Sequence, residues 1–496
     1  MAKNLKTLLR NVFGLEVQGD TMLLGIAYDS RAVLPGECFC AFAGTRADGR
    51  QFVTEAIEKG ANAILLESDI SLKEPTWGYQ QGKAIPIYRV AKLQQKLGEL
   101  AAWFYGYPSL NMKVIGVTGT NAKTSFAHLL TNALSELGYK TAVLGTLGYG
   151  YLGHLKPSLN TTLNAIENQK LLADFRDKGS EYVVMEVSSH ALDQGRVNGI
   201  HFALTVFTNL TQDHLDYHQS MENYALTKAK LFSRGVPAVI NYDDAMGRDL
   251  LTKLDDVIAY SLAYQAIQAR FICSTDYVCM PTGSNIEFIS SFGEGCFNSQ
   301  LIGEFNVSNM LAVFASLLRL GVGIDRILAT LPKLKPVPGR MERFGGGEWS
   351  TIYVDYAHTP DALEKALQAL RPLSRGKLYC VFGCGGNRDR DKRAKMAAIA
   401  EKIADVVMVT SDNPRLEDPL AIIDDISQGF KDHGYLVEVD RAVAIQKILT
   451  MAKPHDTVLI AGKGRETVQE INHQKIPYSD IDTVTKLLEE EACSTL

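Results

Sequence analysis

One run in this 496-residue chain has residue types and spacing suited to phosphate chemistry: Lys113-Val114-Ile115-Gly116-Val117-Thr118-Gly119-Thr120-Asn121-Ala122-Lys123-Thr124. A short apolar stretch breaks into small residues, then Lys-Thr, then an amphipathic segment from Ser125 to Leu137. That order reads as strand, loop and helix. The backbone N–H groups of such a loop, with a helix N-terminus behind them, favour an anion. Lys123 adds a point charge for terminal phosphates, and the Thr124 hydroxyl is placed to hold Mg2+. A nucleoside triphosphate is the implied ligand, against the competing reading of an ordinary tight turn. Ala122 and Val117 stand where a general phosphate loop carries glycines.

Three further clusters could carry chemistry. Glu186 ends the apolar run Tyr182-Val183-Val184-Met185-Glu186-Val187, at the edge where open α/β sheets bind ligands. A carboxylate there suits Mg2+, although a strand-end Glu is as readily solvated or capping a helix. Thr208 to His218 offers two Asp and two His in a polar loop. Zinc has no support there, because neither a His-Glu-x-x-His spacing nor a Cys partner is present. Tyr224 to Phe232 carries Lys228 and Lys230, which by themselves read as an exposed helix face.

The elements that must position these residues follow from the apolar pattern. Strands are expected at Ala63–Leu66, Thr141–Leu144, Tyr182–Val187 and His201–Thr208, alternating with helices, which implies a parallel sheet covered on both faces. Residues from about 255 to 305 are rich in β-formers, Gly and Ser, and read as added antiparallel strands. Phe305–Leu320 reads as a helix. After Pro332, Pro336, Pro338 and Gly339, alternation restarts, with strands near Thr351–Asp355, Lys377–Gly383, Val406–Thr410, Leu436–Val439 and Thr457–Ala461. The expected fold is α/β in three domains. Residues 1–107 form the first, 108–335 a central P-loop ATPase-like parallel sheet with added antiparallel strands, and 336–496 a Rossmann-like domain.

Composition narrows the class. The net charge is −5 and no Lys/Arg run exists, so no nucleic-acid partner is expected. No apolar run approaches the length of a membrane span, and Met1-Ala2-Lys3-Asn4-Leu5 opens no signal peptide. The eight cysteines are scattered, which suits reduced thiols in a cytoplasmic protein.

Taken in order, Thr118-Gly119-Thr120-Asn121-Ala122-Lys123-Thr124, Glu186 to Leu192, Asp213 to His218 and the Lys228 helix resemble the Mur ligases. The resemblance runs through Asp29-Ser30-Arg31, Ala47-Asp48-Gly49, Asn306 and Asn309, and Pro338 to Glu342. It continues through Asp355 to Pro360, Gly383 to Arg388, Asp412-Asn413-Pro414-Arg415 and Gly462 to Glu466, and so covers essentially the whole chain. Within the family it is similar to the branch that adds the third residue of the peptidoglycan stem peptide. Ala122 replaces a family Gly, and its methyl would either crowd the phosphates or oppose a positive φ. Arg465 stands where His is common, and Leu163-Asn164-Ala165 replaces a Pro-containing stretch.

The resemblance implies a role for each matched position. Gly119, Thr120, Asn121, Ala122, Lys123, Thr124 and Ser125 would cradle ATP, with Asn306, Asn309, Arg340 and Asp355 on the rest of the nucleotide. Thr124, Glu186, His214 and Lys228 would bind Mg2+, Lys228 as the N6-carboxylated (carbamylated) residue. Ser30, Asp48, Thr161, Thr162, Ser188 and Arg196 would hold the UDP-linked substrate. Arg388, Asp412, Asn413, Arg415, Gly462 and Glu466 would grip the amino acid. Lys123, Lys228, His214 and Arg340 would form the catalytic set.

The implied reaction is ATP-driven amide formation through an acyl phosphate, joining UDP-MurNAc-dipeptide to an amino acid. In this family Asp-Asn-Pro-Arg goes with meso-diaminopimelate, whose distal carboxylate Arg415 could meet with two parallel hydrogen bonds. Lysine has no such group. The alternatives are a lysine-adding or poly-glutamate-type ligase and a non-catalytic nucleotide-binding relative. A monomer is expected.

Overall fold

A computed structural model describes residues 2–44, 47–158, 160–232, 235–432 and 434–494, with side chains up to residue 490. The chain groups into two compact units, Met1–Gly116 with Tyr139–Leu204, and Val117–Gly138 with Thr205–Leu496.

The first unit opens on the helix Leu5–Phe13. Leu5, Leu8, Leu9 and Val12 are buried at helical spacing, Asn4 accepts from the N–H groups of Lys6 and Thr7, and Gly14 closes the helix at φ +67. A five-stranded sheet follows in the order Gly25–Ala27, Glu37–Ala41, Ala63–Ser68, Lys83–Ala91, Thr76–Gln80; only the last pair is antiparallel. The helices Leu93–Phe104 and Ala165–Asp177 pack together and share a core with the first helix. Tyr182–Glu186 runs parallel to Thr141–Gly145, and a hairpin of Gly148–Tyr151 and His154–Lys156 extends that edge.

In the second unit, Phe202–Phe207, Ala238–Asn241, Val257–Ser261 and Arg270–Met280 are joined in parallel. The antiparallel additions expected from residue 255 begin only with Gly283–Ser290 and Gly293–Ser299. Val257–Ser261 is wholly buried, as a strand covered on both faces must be. The helix Glu304–Arg319 packs on Val257–Ser261 and on the phosphate-loop helix Lys123–Glu136. A second sheet is ordered Glu342–Gly345, Thr351–Asp355, Thr457–Ala461, Leu378–Phe382, Val406–Val409, Leu436–Val437, parallel except for its first pair. The motifs at Asp355–Pro360, Gly383–Arg388, Asp412–Arg415 and Gly462–Glu466 lie at the carboxyl ends of these strands, at the edge where such sheets bind.

Several elements had no counterpart in the sequence pattern, two hairpins among them. The hairpins at 148–156 and at Val468–Ile471 with Gln474–Pro477 are short, and Gly148 alone of their strand residues is buried, so they carry no apolar period. Among the described residues no helix is long and apolar enough to cross a membrane. Cys38, Cys40, Cys273, Cys279, Cys296, Cys380 and Cys384 are free thiols, while the Cys493 side chain lies outside the described residues.

His128 sits inside the phosphate-loop helix, 6% exposed, and its Nε2 has no partner among the described residues. Burial, with Arg340 and Arg465 nearby, pushes its pKa down to about 4. The unfolded chain therefore takes up a proton near pH 6.5 that the folded chain refuses until about pH 4. Stability is full above pH 6.5 and declines as pH falls toward 4. Between pH 7.5 and 5 this residue should account for a loss of about 2 kcal/mol. His128→Leu should show a correspondingly smaller drop in thermal unfolding temperature over that range; an unchanged pH slope would refute the assignment.

Candidate active site

The strand Lys113–Thr118 delivers Gly119 to a place where no side chain fits, since a Cβ there would overlap Thr208 Oγ1. Thr120 N–H donates to Asn209 O at 2.8 Å and Asn121 N–H to Asn209 Oδ1 at 2.9 Å. Thr208 Oγ1 donates to Asn121 O at 2.7 Å, and Asn121 Nδ2 to Asp361 at 2.9 Å. The loop is thus fixed from outside. Ala122 turns it into the helix at φ +70, so Lys123 is already helical and the helix starts two residues earlier than its apolar pattern indicates. Ser125 lies in its first turn, where N–H groups have no intrahelical acceptor.

Lys123 Nζ donates to Gly119 O at 2.8 Å and Thr120 O at 2.9 Å. Lys228, 1% exposed, donates to the same Gly119 oxygen at 2.8 Å and lies 4.4 Å from the centre of the Tyr224 ring. Burial first, then the nearby Lys123, pulls the Lys228 amine well below its ordinary pKa, and Asp213 opposes this. Lys230, two residues on, is exposed at the end of the helix Met221–Ala229.

Asp213 is 6% exposed and receives the His214 N–H at 2.9 Å, with His214 Nε2 at 3.4 Å and His358 Nε2 at 3.9 Å. Burial would raise its carboxyl, but His214, His358 and Lys392 around it outweigh burial and hold it at about 2. Arg340 donates to Thr124 Oγ1 at 3.0 Å and stacks 4.3 Å over the Tyr356 ring. Asp355 accepts from the N–H groups of Met341 at 2.7 Å and Ala357 at 2.8 Å; burial raises its pKa. Asn306 donates to Ile302 O and receives from Asn309, both on the buried face of one helix.

In the first unit, Glu186 is fully buried and accepts from Thr146 N at 2.8 Å and Thr146 Oγ1 at 3.1 Å. Thr146 Oγ1 lies 3.0 Å from Thr161 Oγ1, and Thr162 Oγ1 donates to Glu186 O at 2.8 Å. Ser188 N–H donates to Thr162 Oγ1, and Arg196 Nη1 to Thr162 O, both at 3.0 Å. Four of the six residues expected at the nucleotide-linked substrate therefore stand together. Ser30, donating to Glu55 at 2.8 Å, and Asp48, paired with Arg50, belong to the five-stranded sheet region instead. Tyr28, which sequence reasoning missed, stacks on Phe42 with Asn164 and Arg196 beside its hydroxyl.

The amino-acid motif is stitched to its neighbours. Glu466 accepts from Asn413 Nδ2 at 2.9 Å and from buried Lys463 at 2.8 Å, and Lys463 also reaches Asn413 Oδ1. A Cβ on Gly462 would press on Asp412 Oδ2 at 2.6 Å. Arg388 is exposed and flanks Gly385 together with Arg415. Buried Arg393 binds Glu417 and Asp425 and braces this loop from behind. Lys463 and His358 lie inside motifs the sequence singles out but were given no role there, and Lys392 escaped sequence reasoning because a lone Lys carries no spacing signal.

Among the described residues no three His, Cys, Asp or Glu could hold a metal. A carboxylated Lys228 would present oxygen donors of the kind a hard cation prefers, and its depressed amine favours that modification, because only the unprotonated amine attacks carbon dioxide.

Three family models match in chain order: Mur ligase family, catalytic domain, over residues 23–105; Mur ligase middle domain over 117–317; and Mur ligase, glutamate ligase domain, over 339–464. A UDP-N-acetylmuramoyl-L-alanyl-D-glutamate–2,6-diaminopimelate ligase of Coxiella burnetii is 43% identical over 476 residues, covering 95% of this chain and 96% of that one. The chain belongs to the Mur ligase family. The Mur ligase of the same name from Vibrio vulnificus is 44% identical, covering 98% of both chains. A solved structure under that name superposes with a TM-score of 0.68 at 33% identity, covering 99% of this chain and all of that one. The MurF ligase of Thermotoga maritima in complex with ADP shares the fold, with a TM-score of 0.66 at 20% identity over 95% of this chain and 98% of that one.

The positive φ of Ala122 costs an L-residue about 1–2 kcal/mol, part of which Gly returns as unfolded-chain entropy. Ala122→Gly should raise unfolding stability by about 1 kcal/mol and move the ATP KM by less than about tenfold, roughly 1.4 kcal/mol. Destabilisation measured by calorimetry would contradict the strain argument.

Proposed function

We propose that this chain joins meso-2,6-diaminopimelate to the glutamate carboxylate of UDP-N-acetylmuramoyl-L-alanyl-D-glutamate at the expense of ATP, in peptidoglycan precursor synthesis. The observation that carries the choice of amino acid is the Arg415 guanidinium, held by a rebuilt loop at the carboxyl edge of the second sheet. The near-full-length likeness to diaminopimelate ligases supports the same reading. The reading keeps three domains, 1–107 for the UDP-linked substrate, 108–335 for ATP and 336–496 for the amino acid.

In this mechanism the substrate carboxylate attacks the γ-phosphorus, the bond to the β–γ bridging oxygen breaks, and ADP leaves an acyl phosphate. The free amine then attacks the activated carbonyl, phosphate departs, and the amine loses its proton. A carboxylate is too poor an electrophile to react without this activation. Protein groups mostly position and neutralise. Lys123 would exchange the Gly119 and Thr120 carbonyls for terminal phosphate oxygens. Arg340, stacked on Tyr356, would follow the same phosphates. Asp355, with both oxygens already oriented by N–H groups, keeps lone pairs for the ribose. Thr124, His214 and carboxylated Lys228, with Glu186 as the further family ligand, would hold Mg2+, which would supply charge neutralisation at the phosphates.

Lys228 should be carboxylated in bicarbonate buffer, and Lys230 should not. A 13C-bicarbonate carbamate resonance should vanish in Lys228→Ala and persist in Lys230→Ala. Ligation should nearly disappear in the first and fall little in the second; equal losses would sink the assignment.

Wild type should use meso-diaminopimelate far better than lysine. Removing one member of a ligand charge pair costs about 2–5 kcal/mol. Arg415→Ala should therefore lower kcat/KM for meso-diaminopimelate by roughly thirtyfold or more, with the ATP KM barely moved. Phosphate release with each amino acid measures this, and a wild type that prefers lysine overturns the substrate assignment.

A further inference from the structure

Arg415 sits in the left-handed backbone region at φ +54, where an L-residue persists only if its surroundings hold it. The holding is done by the short strand Val468–Ile471. Arg415 N–H donates to Glu470 O at 2.9 Å, and Asn472 N–H donates to Arg415 O at 2.7 Å. Glu470 N–H donates to Asn413 Oδ1 at 2.9 Å, and Gln469 Nε2 to Asp412 O at 2.7 Å. Three of the four residues of the motif are thus tied to one strand.

The side chain is tied as well. Arg415 Nε donates to Glu470 Oε2 at 3.1 Å and Nη1 to Gly386 O at 2.9 Å. These two acceptors fix the plane of the guanidinium, and its Nη2 meets no acceptor among the described residues. A guanidinium has five N–H groups, so the far edge stays available for a second carboxylate. The pair is partly exposed, with side-chain exposures of 22% and 39%, so its Coulomb attraction contributes little. What it provides is orientation.

We propose that Glu470 is a positioning residue for amino-acid selection, holding Arg415 in the orientation that receives the distal carboxylate of the incoming diamino acid. This rests on the diaminopimelate reading above. Two effects of Glu470 oppose each other: its hydrogen bond immobilises the guanidinium in advance, and its charge repels the arriving carboxylate through solvent. Variants separate them. Glu470→Gln keeps an acceptor for Nε and removes the charge, whereas Glu470→Ala removes both.

Steady-state kinetics on the full chain should give Glu470→Ala a KM for meso-diaminopimelate raised about fivefold, with kcat within twofold and the ATP KM unchanged. Glu470→Gln should match wild type or bind slightly tighter. A lower KM in both variants would make Glu470 a competitor for Arg415. A raised KM in both would make its charge the operative feature. A parallel rise in the ATP KM would reduce it to a structural residue. Each of these overturns the proposal. A crystal structure of ligand-free Glu470→Ala should show the Arg415 guanidinium displaced from Gly386 O; an unmoved side chain also overturns it. That readout stands even if wild type takes another amino acid, which would refute the diaminopimelate reading alone.

Discussion

One carbonyl oxygen organises the nucleotide end of the molecule. Gly119 O receives both Lys123 and Lys228. The absence of a side chain at Gly119 lets the loop press against Thr208, and that close approach turns the carbonyl toward both amines. Burial first, and then the repulsion between two amines sharing one buried acceptor, pull the Lys228 amine well below its ordinary pKa. The same crowding that would destabilise a pair of cations suits one cation and one carboxylated amine. Under the carboxylation proposed above, attachment of carbon dioxide to Lys228 would turn this repulsion into attraction.

Much of this was legible in the sequence. The phosphate loop, the buried strands and the strand-end motifs of the second sheet were readable because apolar runs and small-residue breaks impose local conformation. The Thr351–Asp355 and Thr457–Ala461 strands fall where the pattern puts them. Less legible were features created by distant partners. Nothing in the neighbourhood of Lys228 says that it is buried, since its helix is short and of mixed polarity. Nothing around Gln469 or Glu470 says that this strand reaches back to Asp412–Arg415. The start of the antiparallel addition was misplaced because Val257–Ser261, like any strand, favours β-formers whichever way its neighbour runs.

Among the described residues, five of the eleven non-glycine positions at positive φ fall on the candidate ligand loops. Ala122, His214, Met341, Asn387 and Arg415 all take positive φ without being glycine, and each lies on a loop carrying candidate ligand contacts. Such conformations survive only where neighbours over-determine them. Asn209 grips the phosphate loop, Asp213 receives the His214 N–H, Asp355 receives the Met341 N–H, Glu417 binds the Asn387 N–H, and Glu470 carries Arg415. The second sheet supplies several of these grips from side chains remote in sequence, so its loops are rigid without being locally stiff.

The buried ion pair between Arg441 and Asp480 has a temporal consequence. Both side chains are fully enclosed, Arg441 also donates to Ala461 O, and Tyr478 donates to Asp480. Asp480 opens the last helix, just after the hairpin that braces Arg415. As the polypeptide leaves the ribosome, the phosphate loop and its grips from residues 208–214 can assemble early. The Arg441 guanidinium has no counter-ion until almost the whole chain has emerged, and a buried charge without its partner costs about 3–5 kcal/mol. The strand ends at Ser411 and Ala461 that Arg441 braces are therefore among the last parts of the chain to be fixed during synthesis.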